Sequence, residues 1–275
     1  MAIKLITSDL DGTLLNSKKV VSERDRAAIM AAESMGIMVT LASGRSSPEA
    51  WAFARMAGIS HSPMISNNGP RVQAPDGTTI AEECLQPELA REVMRRWNTL
   101  GISYVLYNND TMFYSVKPLD YDKYPEYGAR MGAHIQCDFD RDRMMGEGAE
   151  HAHKLVYYDD DTEMYNRAVA MLTDLKDILE LNSSSRNNIE VMHKGVDKGW
   201  AVRQLQKYYG LKREEIMAFG DADNDRQMLL NSGWPVVMSN GTDEMKAIAR
   251  IIAPDCDSSG VGQIIEEYVL SGKIK

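Results

Sequence analysis

The pattern of hydrophobic and polar residues predicts an alternation of strands and helices from the beginning of the chain. The apolar run at residues 3–7 predicts a first strand, and the near-continuous apolar run at 37–42 predicts a strand that is buried on both faces. Between these runs, apolar residues recur every three or four positions from Ser22 to Gly36, which predicts a helix. Strand, helix and strand in this order indicate an α/β fold with a parallel sheet.

The region from residue 84 to residue 188 differs in pattern and predicts a separate α+β domain. Its predicted elements are a helix beginning near Pro87, strands at 103–107 and 154–158, a helix at 162–175, and strands on either side of 183–188. Segment 141–150 is charged and contains glycines, so we expect a loop there. We therefore divide the chain into a core of residues 1–83 and 189–275 and an insert of residues 84–188.

The alternation of strands and helices resumes after the insert. Asp197 is a good N-cap for a helix, and Lys198 then lies in the first turn, where a cation is unfavourable unless an anion is near. The other elements predicted here are strands at 215–219, 235–238 and 251–253 and helices at 243–249 and 261–269. These elements continue the α/β pattern of the core.

Composition and charge narrow the classes of partner. The 275 residues carry a formal net charge of -9, which argues against a nucleic-acid or anionic-membrane surface. No apolar stretch approaches the roughly 18 residues that span a membrane, and the chain begins without a signal-peptide pattern, so we expect a cytoplasmic protein. Cys84, Cys137 and Cys256 are odd in number and far apart, which disfavours a disulfide framework and a thiolate zinc site.

Two carboxylates, Asp9 and Asp11, directly follow the first predicted strand. Side chains two residues apart on a strand point to the same face, and Gly12 then allows the chain to turn away. Like charges so close together require a cation between them or a proton on one of them, which suits a divalent metal and an acid catalyst. An Asp-Gly surface turn is the alternative interpretation of these residues alone.

Three further groups follow predicted strands or open predicted helices. Ser43 and Gly44 can form an anion cradle from a hydroxyl, a close backbone N–H and the start of the next helix. Lys198 can add positive charge, although a solvated surface lysine fits the same pattern. Loop 220–225 holds more oxygen-bearing residues than a helix cap requires, which suits Mg²⁺, and the EF-hand spacing typical of calcium is absent. Ligands of parallel sheets bind beyond the carboxyl ends of the strands, where all these residues are expected.

Four motifs in this order resemble those of the haloacid dehalogenase superfamily. They are residues 9–13 (DLDGT), 43–45 (SGR), 195–199 (GVDKG, which contains Lys198) and 220–225 (GDADND). The insert resembles the large C2B-type cap of the Cof-like branch, and the resemblance spans essentially the whole chain. It implies a Rossmann-like parallel-sheet core with an inserted α+β cap, and a phosphatase that uses Mg²⁺ to hydrolyse sugar phosphates and similar small phosphate esters.

The resemblance also implies roles for individual residues. Asp9 would be the nucleophile that forms an aspartyl phosphate, and Asp11 would protonate the leaving alkoxide and then deprotonate the attacking water. Mg²⁺ would be bound by the Asp9 carboxylate, the Asp11 backbone carbonyl and Asp221. The phosphate would be held by Ser43, the Gly44 amide, Lys198 and Asn224. Behind these contacts, Asp225 would fix Lys198 or metal-bound water, and Thr13 would support the site.

Two other functions fit the same residues. A hexose phosphomutase of the superfamily would return the phosphoryl group to a sugar, and a non-catalytic regulator would bind sugar phosphate without turnover. A dehalogenase is disfavoured because it has no alkoxide for Asp11 to protonate. We expect a small-molecule phosphate ester as the ligand and a monomer or weak homo-oligomer, and no motif identifies the ester.

Overall fold

The computed structural model describes residues 2–119, 128, 132–183 and 187–274, and these form alternating strands and helices. The strands are β1 (Leu5–Ser8), β2 (Met38–Leu41), β3 (Met64–Ser66), β4 (Arg71–Gln73), β5 (Thr79–Glu82), β6 (Tyr104–Asn108), β7 (Thr111–Tyr114), β8 (Gln136–Asp138), β9 (Ala152–Tyr158), β10 (Leu179–Asn182), β11 (Asn188–His193), β12 (Ile216–Gly220), β13 (Trp234–Met238) and β14 (Ile251–Ala253). The α-helices are α1 (Glu23–Ser34), α2 (Ser47–Met56), α3 (Pro87–Leu100), α4 (Arg141–Arg143), α5 (Thr162–Ala170), α6 (Lys198–Tyr209), α7 (Arg226–Leu230), α8 (Asp243–Lys246) and α9 (Gly260–Ile264).

The chain divides into two units. The core unit comprises Met1–Arg45, Ala50–Ala81 and Asp197–Lys275, and the insert unit comprises Ser46–Glu49 and Glu82–Val196. None of the helices in the described ranges combines the length and the hydrophobicity that crossing a membrane requires.

A five-stranded parallel sheet lies at the centre of the core unit, in the order β14-β13-β12-β1-β2. β1 lies between two partners, with Leu5 opposite both Ile216 and Met38. All four residues of β1 are buried, as expected of a strand that is covered on both faces. The predicted parallel-sheet α/β fold is therefore confirmed, and the segments that follow β1, β2 and β12 meet at the same end of the sheet.

Helix α1 shows how the local sequence builds this core. The Ser22 side chain accepts a hydrogen bond from the Asp25 backbone N–H and so caps the helix, as the sequence predicts. Ala28, Ile29 and Ala32 are buried, which is the face that the three- and four-residue spacing predicts. The helix therefore buries one apolar face, and it connects the two parallel strands β1 and β2.

The insert unit is an α+β arrangement around a six-stranded sheet. The order of its strands is β10-β11-β9-β6-β7-β8, and the pairings are antiparallel apart from the parallel pair β7 and β8. Helices α3 and α5 contribute to its hydrophobic core, in which Trp97 is fully buried. The Trp97 indole donates a hydrogen bond to the Ala168 carbonyl, so the largest core side chain is also satisfied as a donor.

The expected loop at 141–150 is wrong, because this segment forms α4 and a π-helical turn over Met144–Gly148. The Asp140 side chain caps α4 by accepting from two backbone N–H groups. The Asn108 side chain donates to the carbonyls of Glu147 and Gly148, at 3.1 Å each. Contacts with a distant strand therefore hold a segment whose composition alone favours a loop.

Three predicted helices are shorter as α-helices than the sequence indicates. The helix expected over 162–175 ends at Ala170, and a separate 3-10 turn covers Thr173–Leu175. The helix expected over 243–249 ends at Lys246, and that over 261–269 changes at Ile265 to a π-helical turn. The positions of the elements are confirmed, and only their ends differ, where few local signals act.

Candidate active site

Asp9 lies immediately after β1 and is almost completely buried. Its backbone N–H donates to the Phe219 carbonyl at 2.9 Å, which continues the pairing of β1 with β12 by one residue. The residue is 7% exposed, and the Lys198 ammonium lies 2.5 Å from its Oδ1 atom. A carboxylate at the end of the central strand is therefore held against a cation within the protein interior.

Lys198 is the first residue of α6 and has a fully buried side chain. Its ammonium donates to both Asp9 and Asp225, the latter at 2.6 Å. These contacts resolve the unfavourable position of a cation in the first turn of a helix. Burial by itself lowers the pKa of Lys198, but the two carboxylates outweigh it and the pKa is raised, so the lysine stays charged.

Two glycines allow the start of α6 to pack closely against neighbouring segments. Asp197 caps the helix by accepting from the Trp200 N–H at 2.7 Å, which confirms the predicted cap. Gly69 has φ +126, and a Cβ atom at this position would lie 2.2 Å from the Asp197 carbonyl oxygen. A Cβ atom on Gly199 would similarly lie 2.7 Å from the Gln227 backbone. Larger residues would displace the helix and with it the lysine.

The loop after β12 places two further carboxylates beside Asp9. Asp225 uses Oδ1 to accept from Lys198 and Oδ2 to accept from the backbone N–H groups of Asp221 and Ala222, at 3.0 and 3.2 Å. Thr13 donates to Asp221 Oδ1 at 2.7 Å. The loop is therefore organised by Asp225, and Asp221 is positioned from the opposite side by the hydroxyl group that follows β1.

Gly12 is required for this approach of the two loops. It has φ +89, and a Cβ atom there would lie 2.6 Å from Asp221 Oδ2. The Asn240 side chain donates to the Gly12 carbonyl at 2.8 Å and holds the turn from outside. Glycine thus supplies both the left-handed conformation and the space for the Asp221 carboxylate.

The carboxylates of Asp9, Asp221 and Asp225 form a cluster that suits a divalent cation. One oxygen from each lies within 4.8 Å of the others. Burial and the neighbouring carboxylates, opposed by Lys198, raise the pKa of Asp9 to about 8, and burial together with Asp225 raises that of Asp221 to about 6. Ionisation of all three carboxyls would therefore place an excess of negative charge here, which a bound cation would offset, and carboxylate oxygens are the ligands that hard cations prefer. The residues present fit a divalent metal.

Asp11 lies in a different environment from Asp9. Its carboxylate accepts from the Arg45 guanidinium through both oxygens, at 3.0 and 3.1 Å, and from the Lys19 ammonium at 2.8 Å. Burial opposes ionisation, but the contacts with Arg45 and Lys19 lower the pKa of Asp11 overall. The two aspartates of the first sequence motif thus have pKa values shifted in opposite directions, which suits different chemical roles.

Ser43 and Gly44 lie at the end of β2, beside a residue that the sequence analysis missed. Ser43 is buried, its N–H donates to the Ile65 carbonyl, and its Oγ accepts from the Arg45 N–H at 3.2 Å. Asn68 packs so closely that a Cβ atom on Gly44 would lie 2.9 Å from its Nδ2 atom.

Asn68 also accepts a hydrogen bond from the Asn224 side chain, at 3.5 Å. It therefore connects the segment after β2 with the loop after β12.

The structure brings together the residues that the four sequence motifs single out, all within the core unit. Asp9, Thr13, Lys198, Asp221 and Asp225 are linked by direct contacts, and Ser43, Gly44 and Asn224 meet at Asn68. Asp11 points to Arg45 and Lys19. The sequence analysis did not single out Lys19 or Asn68, because neither belongs to one of the four motifs. Both residues have a positive φ, a feature of the backbone that local sequence does not link to chemistry.

Comparison with known proteins identifies the family. A model of the haloacid dehalogenase-like hydrolases matches residues 6–265. The chain belongs to this family. The fold of this hydrolase resembles the crystal structure of TM0651 from Thermotoga maritima with a TM-score of 0.82 and 26% sequence identity, over 96% of this chain and 97% of that one. The resemblance expected from the motifs, and the fold with an inserted cap, are confirmed.

Two curated relatives are similar over nearly their whole length. The hydrolase is 26% identical to the 5-amino-6-(5-phospho-D-ribitylamino)uracil phosphatase YwtE of Bacillus subtilis (strain 168), over 98% of this chain and 99% of that protein. It is 28% identical to the HMP-PP phosphatase of Klebsiella pneumoniae (strain 342), over 97% of this chain and 96% of that protein. Both relatives are named as phosphatases of small phosphorylated molecules.

Proposed function

We propose that this hydrolase is a Mg²⁺-dependent phosphatase of small phosphorylated metabolites, with sugar phosphates as the favoured class, acting through an aspartyl phosphate. The observation that carries the proposal is the position of Asp9, which is buried at the end of β1 and in contact with Lys198. The two phosphatases named above support the class of reaction, and each acts on a small phosphate compound. The cytoplasm remains the proposed compartment.

Asp9 is the nucleophile of the proposed reaction. Its carboxylate oxygen attacks phosphorus, the bond from phosphorus to the ester oxygen breaks, and the alkoxide leaves with a proton. Water then attacks the aspartyl phosphate, which releases inorganic phosphate and restores the carboxylate. Lys198, 2.5 Å from Asp9, offsets the charge that develops on the phosphoryl oxygens in both steps.

Asp9 and Asp221, with the Asp11 backbone carbonyl, are the groups that would hold the metal. Bound Mg²⁺ supplies positive charge that reduces repulsion between the carboxylate nucleophile and the phosphate. Thr13 keeps Asp221 in place through its 2.7 Å hydrogen bond, and Asp225 is fully engaged with Lys198 and the loop backbone. We therefore assign Asp225 and Thr13 to the support of the site.

Asp11 acts as the proton donor and acceptor. While Arg45 and Lys19 hold its carboxylate, the lowered pKa keeps it ionised, so in this arrangement it is suited to accept the proton of the attacking water. Donation to the leaving alkoxide requires a protonated Asp11, and hence release of the carboxyl from at least one cation. Asp11 is therefore proposed to move between two environments during turnover.

The phosphate is held by Ser43, the Gly44 amide, Lys198 and Asn224. Ser43 and Gly44 lie at the end of β2, and Asn224 reaches the same place through Asn68. The insert of residues 84–188 is proposed as the cap that selects the leaving group. A monomer or weak homo-oligomer suffices, because the groups assigned to the reaction all lie within one core unit.

The proposal is tested by phosphate release from a panel of sugar phosphates, nucleotides and cofactor phosphates, with and without Mg²⁺. We expect at least one ester to be hydrolysed with Mg²⁺, and Asp9→Asn to abolish release from every ester. The matched control is Asp223→Asn, which makes the same change at an exposed carboxylate in the acidic loop. An isomerised sugar phosphate without net phosphate release would indicate a mutase instead, and tight binding without turnover would indicate a regulator.

A further inference from the structure

Glu82, Cys84 and His153 form a second cluster of metal-ligand side chains, which lies wholly within the insert unit. One ligand atom of each, a carboxylate oxygen, the sulfur and a ring nitrogen, lies within 4.8 Å of the other two. The His153 Nε2 and Glu82 Oε1 atoms are 2.9 Å apart. We propose that these three side chains bind a divalent transition metal of the zinc type, at a site that is separate from the phosphatase site.

The local backbone explains why the three side chains meet. Glu82 ends β5, and Cys84 follows it two residues later, in the segment without regular structure that precedes α3. The Leu85 N–H donates to the Ala152 carbonyl at 2.8 Å, which fixes this segment beside the start of β9. His153 is the next residue of β9. The ligands are therefore carried by hydrogen-bonded backbone.

The spacing of the ligand atoms is close to that of a zinc site. Zinc bonds of about 2.0–2.1 Å to nitrogen or oxygen and about 2.3 Å to sulfur give tetrahedral edges of about 3.3–3.6 Å. The 2.9 Å between His153 and Glu82 and the 4.8 Å limit for the whole set bracket these edges. Side-chain rotations that move the ligand atoms by up to about 1.2 Å then suffice to accommodate the ion.

Burial and proton balance favour a metal with one open position. The His153 side chain is fully buried, whereas the Glu82 side chain is 30% exposed and Cys84 is half-buried, so water can reach one side of the cluster. With Glu82 ionised, Nε2 of His153 donates in the metal-free state. Metal binding moves that proton to Nδ1 and releases the thiol proton of Cys84 to solvent. Three protein ligands then leave a fourth position for water.

The two clusters differ in the type of ligand atom, oxygen alone against sulfur, nitrogen and oxygen, and the type of ligand atom selects the metal. Asp9, Asp221 and Asp225 offer oxygen atoms alone, which hard cations such as Mg²⁺ prefer. Thiolate and imidazole are preferred by zinc and its neighbours, and the carboxylate completes a set that zinc accepts. One thiolate and one carboxylate also offset the two charges of the cation. The two clusters should therefore load with different metals in the same solution.

The sequence did not reveal this site because its ligands lack a recognisable spacing. The sequence analysis disfavoured a thiolate zinc site on the grounds that the three cysteines are far apart. In the structure Cys84 is joined by a glutamate two residues earlier and by a histidine from a strand that begins at Ala152. The expected effect of the metal is to tie the segment 82–85 to β9 and so to stabilise the insert unit.

The experiment uses Co²⁺ as a spectroscopic probe of the full-length protein, with excess Mg²⁺ present to occupy the oxygen-ligand site. Thiolate coordination gives a sulfur-to-cobalt charge-transfer absorption that oxygen ligands do not give. We expect this absorption in the wild-type protein, its loss in Cys84→Ser, and its retention in Cys137→Ser, a matched change at another cysteine of the insert unit. Glu82→Gln, a nearly isosteric change, should weaken Co²⁺ binding about 10-fold or more.

The same proteins are then loaded with Zn²⁺, freed of loose metal and analysed for metal content. We expect about one equivalent to remain in the wild type and in Cys137→Ser, and less than about a tenth of an equivalent in Cys84→Ser. Equal circular dichroism of the metal-free variants shows that folding is intact. Charge-transfer absorption that persists in Cys84→Ser, or that is absent from the wild type, would overturn the proposal. Neither result depends on whether the protein hydrolyses phosphate esters.

Discussion

Each unit of the protein buries a lysine against a carboxylate, and the two arrangements differ in their balance of charge. In the core unit, Lys198 contacts both Asp9 and Asp225. In the insert unit, Lys154 lies 2.8 Å from Glu190, and both side chains are only 3% exposed. Both lysines are thus removed from water, where an unpaired charge is costly.

The charge count separates a site from a structural pair. Lys198 and its two carboxylates sum to one negative charge when all are ionised, and Asp221 adds another nearby. Lys154 and Glu190 sum to zero, and Lys154 also lies 4.6 Å from the centre of the Tyr107 ring. An excess of buried carboxylate groups favours the binding of a cation. A lysine and a single carboxylate balance each other, and such a pair stabilises the strands on which its residues lie.

The largest expected effect is that of Lys198→Met on catalysis. The variant loses the cation that is proposed to offset developing charge on the phosphoryl oxygens, so we expect kcat to fall about 10³-fold. The rate of phosphate release at saturating Mg²⁺ and substrate measures kcat. Lys194→Met, at a half-exposed lysine paired with Glu180, is the control and should retain wild-type kcat. A kcat for Lys198→Met within about 10-fold of the wild type would be incompatible with the proposed role.

In the insert unit, Lys154→Met should lower the stability of the protein. It leaves Glu190 buried without its cation, and we expect the free energy of unfolding to fall by about 3 kcal/mol. Adding Glu190→Leu should restore most of this loss, because both charges are then replaced by apolar groups. Urea unfolding of the full protein measures both, with Lys176→Met at an exposed position as control. An unchanged stability in the single variant would remove the contrast between the two lysines.

Thr13→Val tests how the excess negative charge is positioned. The change removes the hydroxyl that donates to Asp221 Oδ1 at 2.7 Å and keeps the shape of the side chain. We expect the Mg²⁺ concentration for half-maximal activity to rise about 10-fold, because residues that orient metal ligands contribute to metal affinity. A Mg²⁺ titration of phosphate release measures this, with Thr99→Val on the exposed face of α3 as control. Equal Mg²⁺ requirements in both variants would contradict the assignment.

The smallest expected effect is a pH dependence of the metal-free protein. Folding raises the pKa of Asp9 to about 8 and that of Asp221 to about 6, mainly through burial. The folded state therefore binds protons more tightly, and the stability that these groups contribute is lost as the pH rises from about 4 to about 8. In chelator we expect Tm to fall over this interval, less steeply in Asp9→Asn. Addition of Mg²⁺ should restore Tm at pH 8. If Tm fell as steeply with pH in the wild type as in Asp9→Asn, the pH dependence could not be assigned to Asp9.

Much of the core, and the convergence of the candidate site residues at one end of its sheet, was predictable because these residues follow strands. Asp9, Ser43 and Asp221 come directly after segments whose apolar runs predict buried parallel strands, and such strands end together. Helix caps such as Ser22 and Asp197 were predictable from local side-chain chemistry. Local pattern and topology thus suffice where each signal lies within a few residues.

The remaining features depend on contacts between segments that are distant in sequence. The pairing of Asp11 with Arg45 spans 34 positions, and the meeting of Cys84 with His153 depends on the hydrogen bond between Leu85 and Ala152. The helical turns in 141–150 are held partly by the side chain of Asn108. No local propensity encodes such contacts, since each arises from packing of the completed fold.

The most direct test of the account is to identify the residue that becomes phosphorylated. Asp11→Asn should slow the hydrolysis of the proposed aspartyl phosphate, because it removes the group that we propose accepts the proton of water. Acid quenching of this variant during turnover, followed by peptide mass spectrometry, should find one phosphoryl group on Asp9, and none in Asp9→Asn. A phosphoryl group on another residue, or none on any peptide while phosphate is still released, would contradict the central role of Asp9.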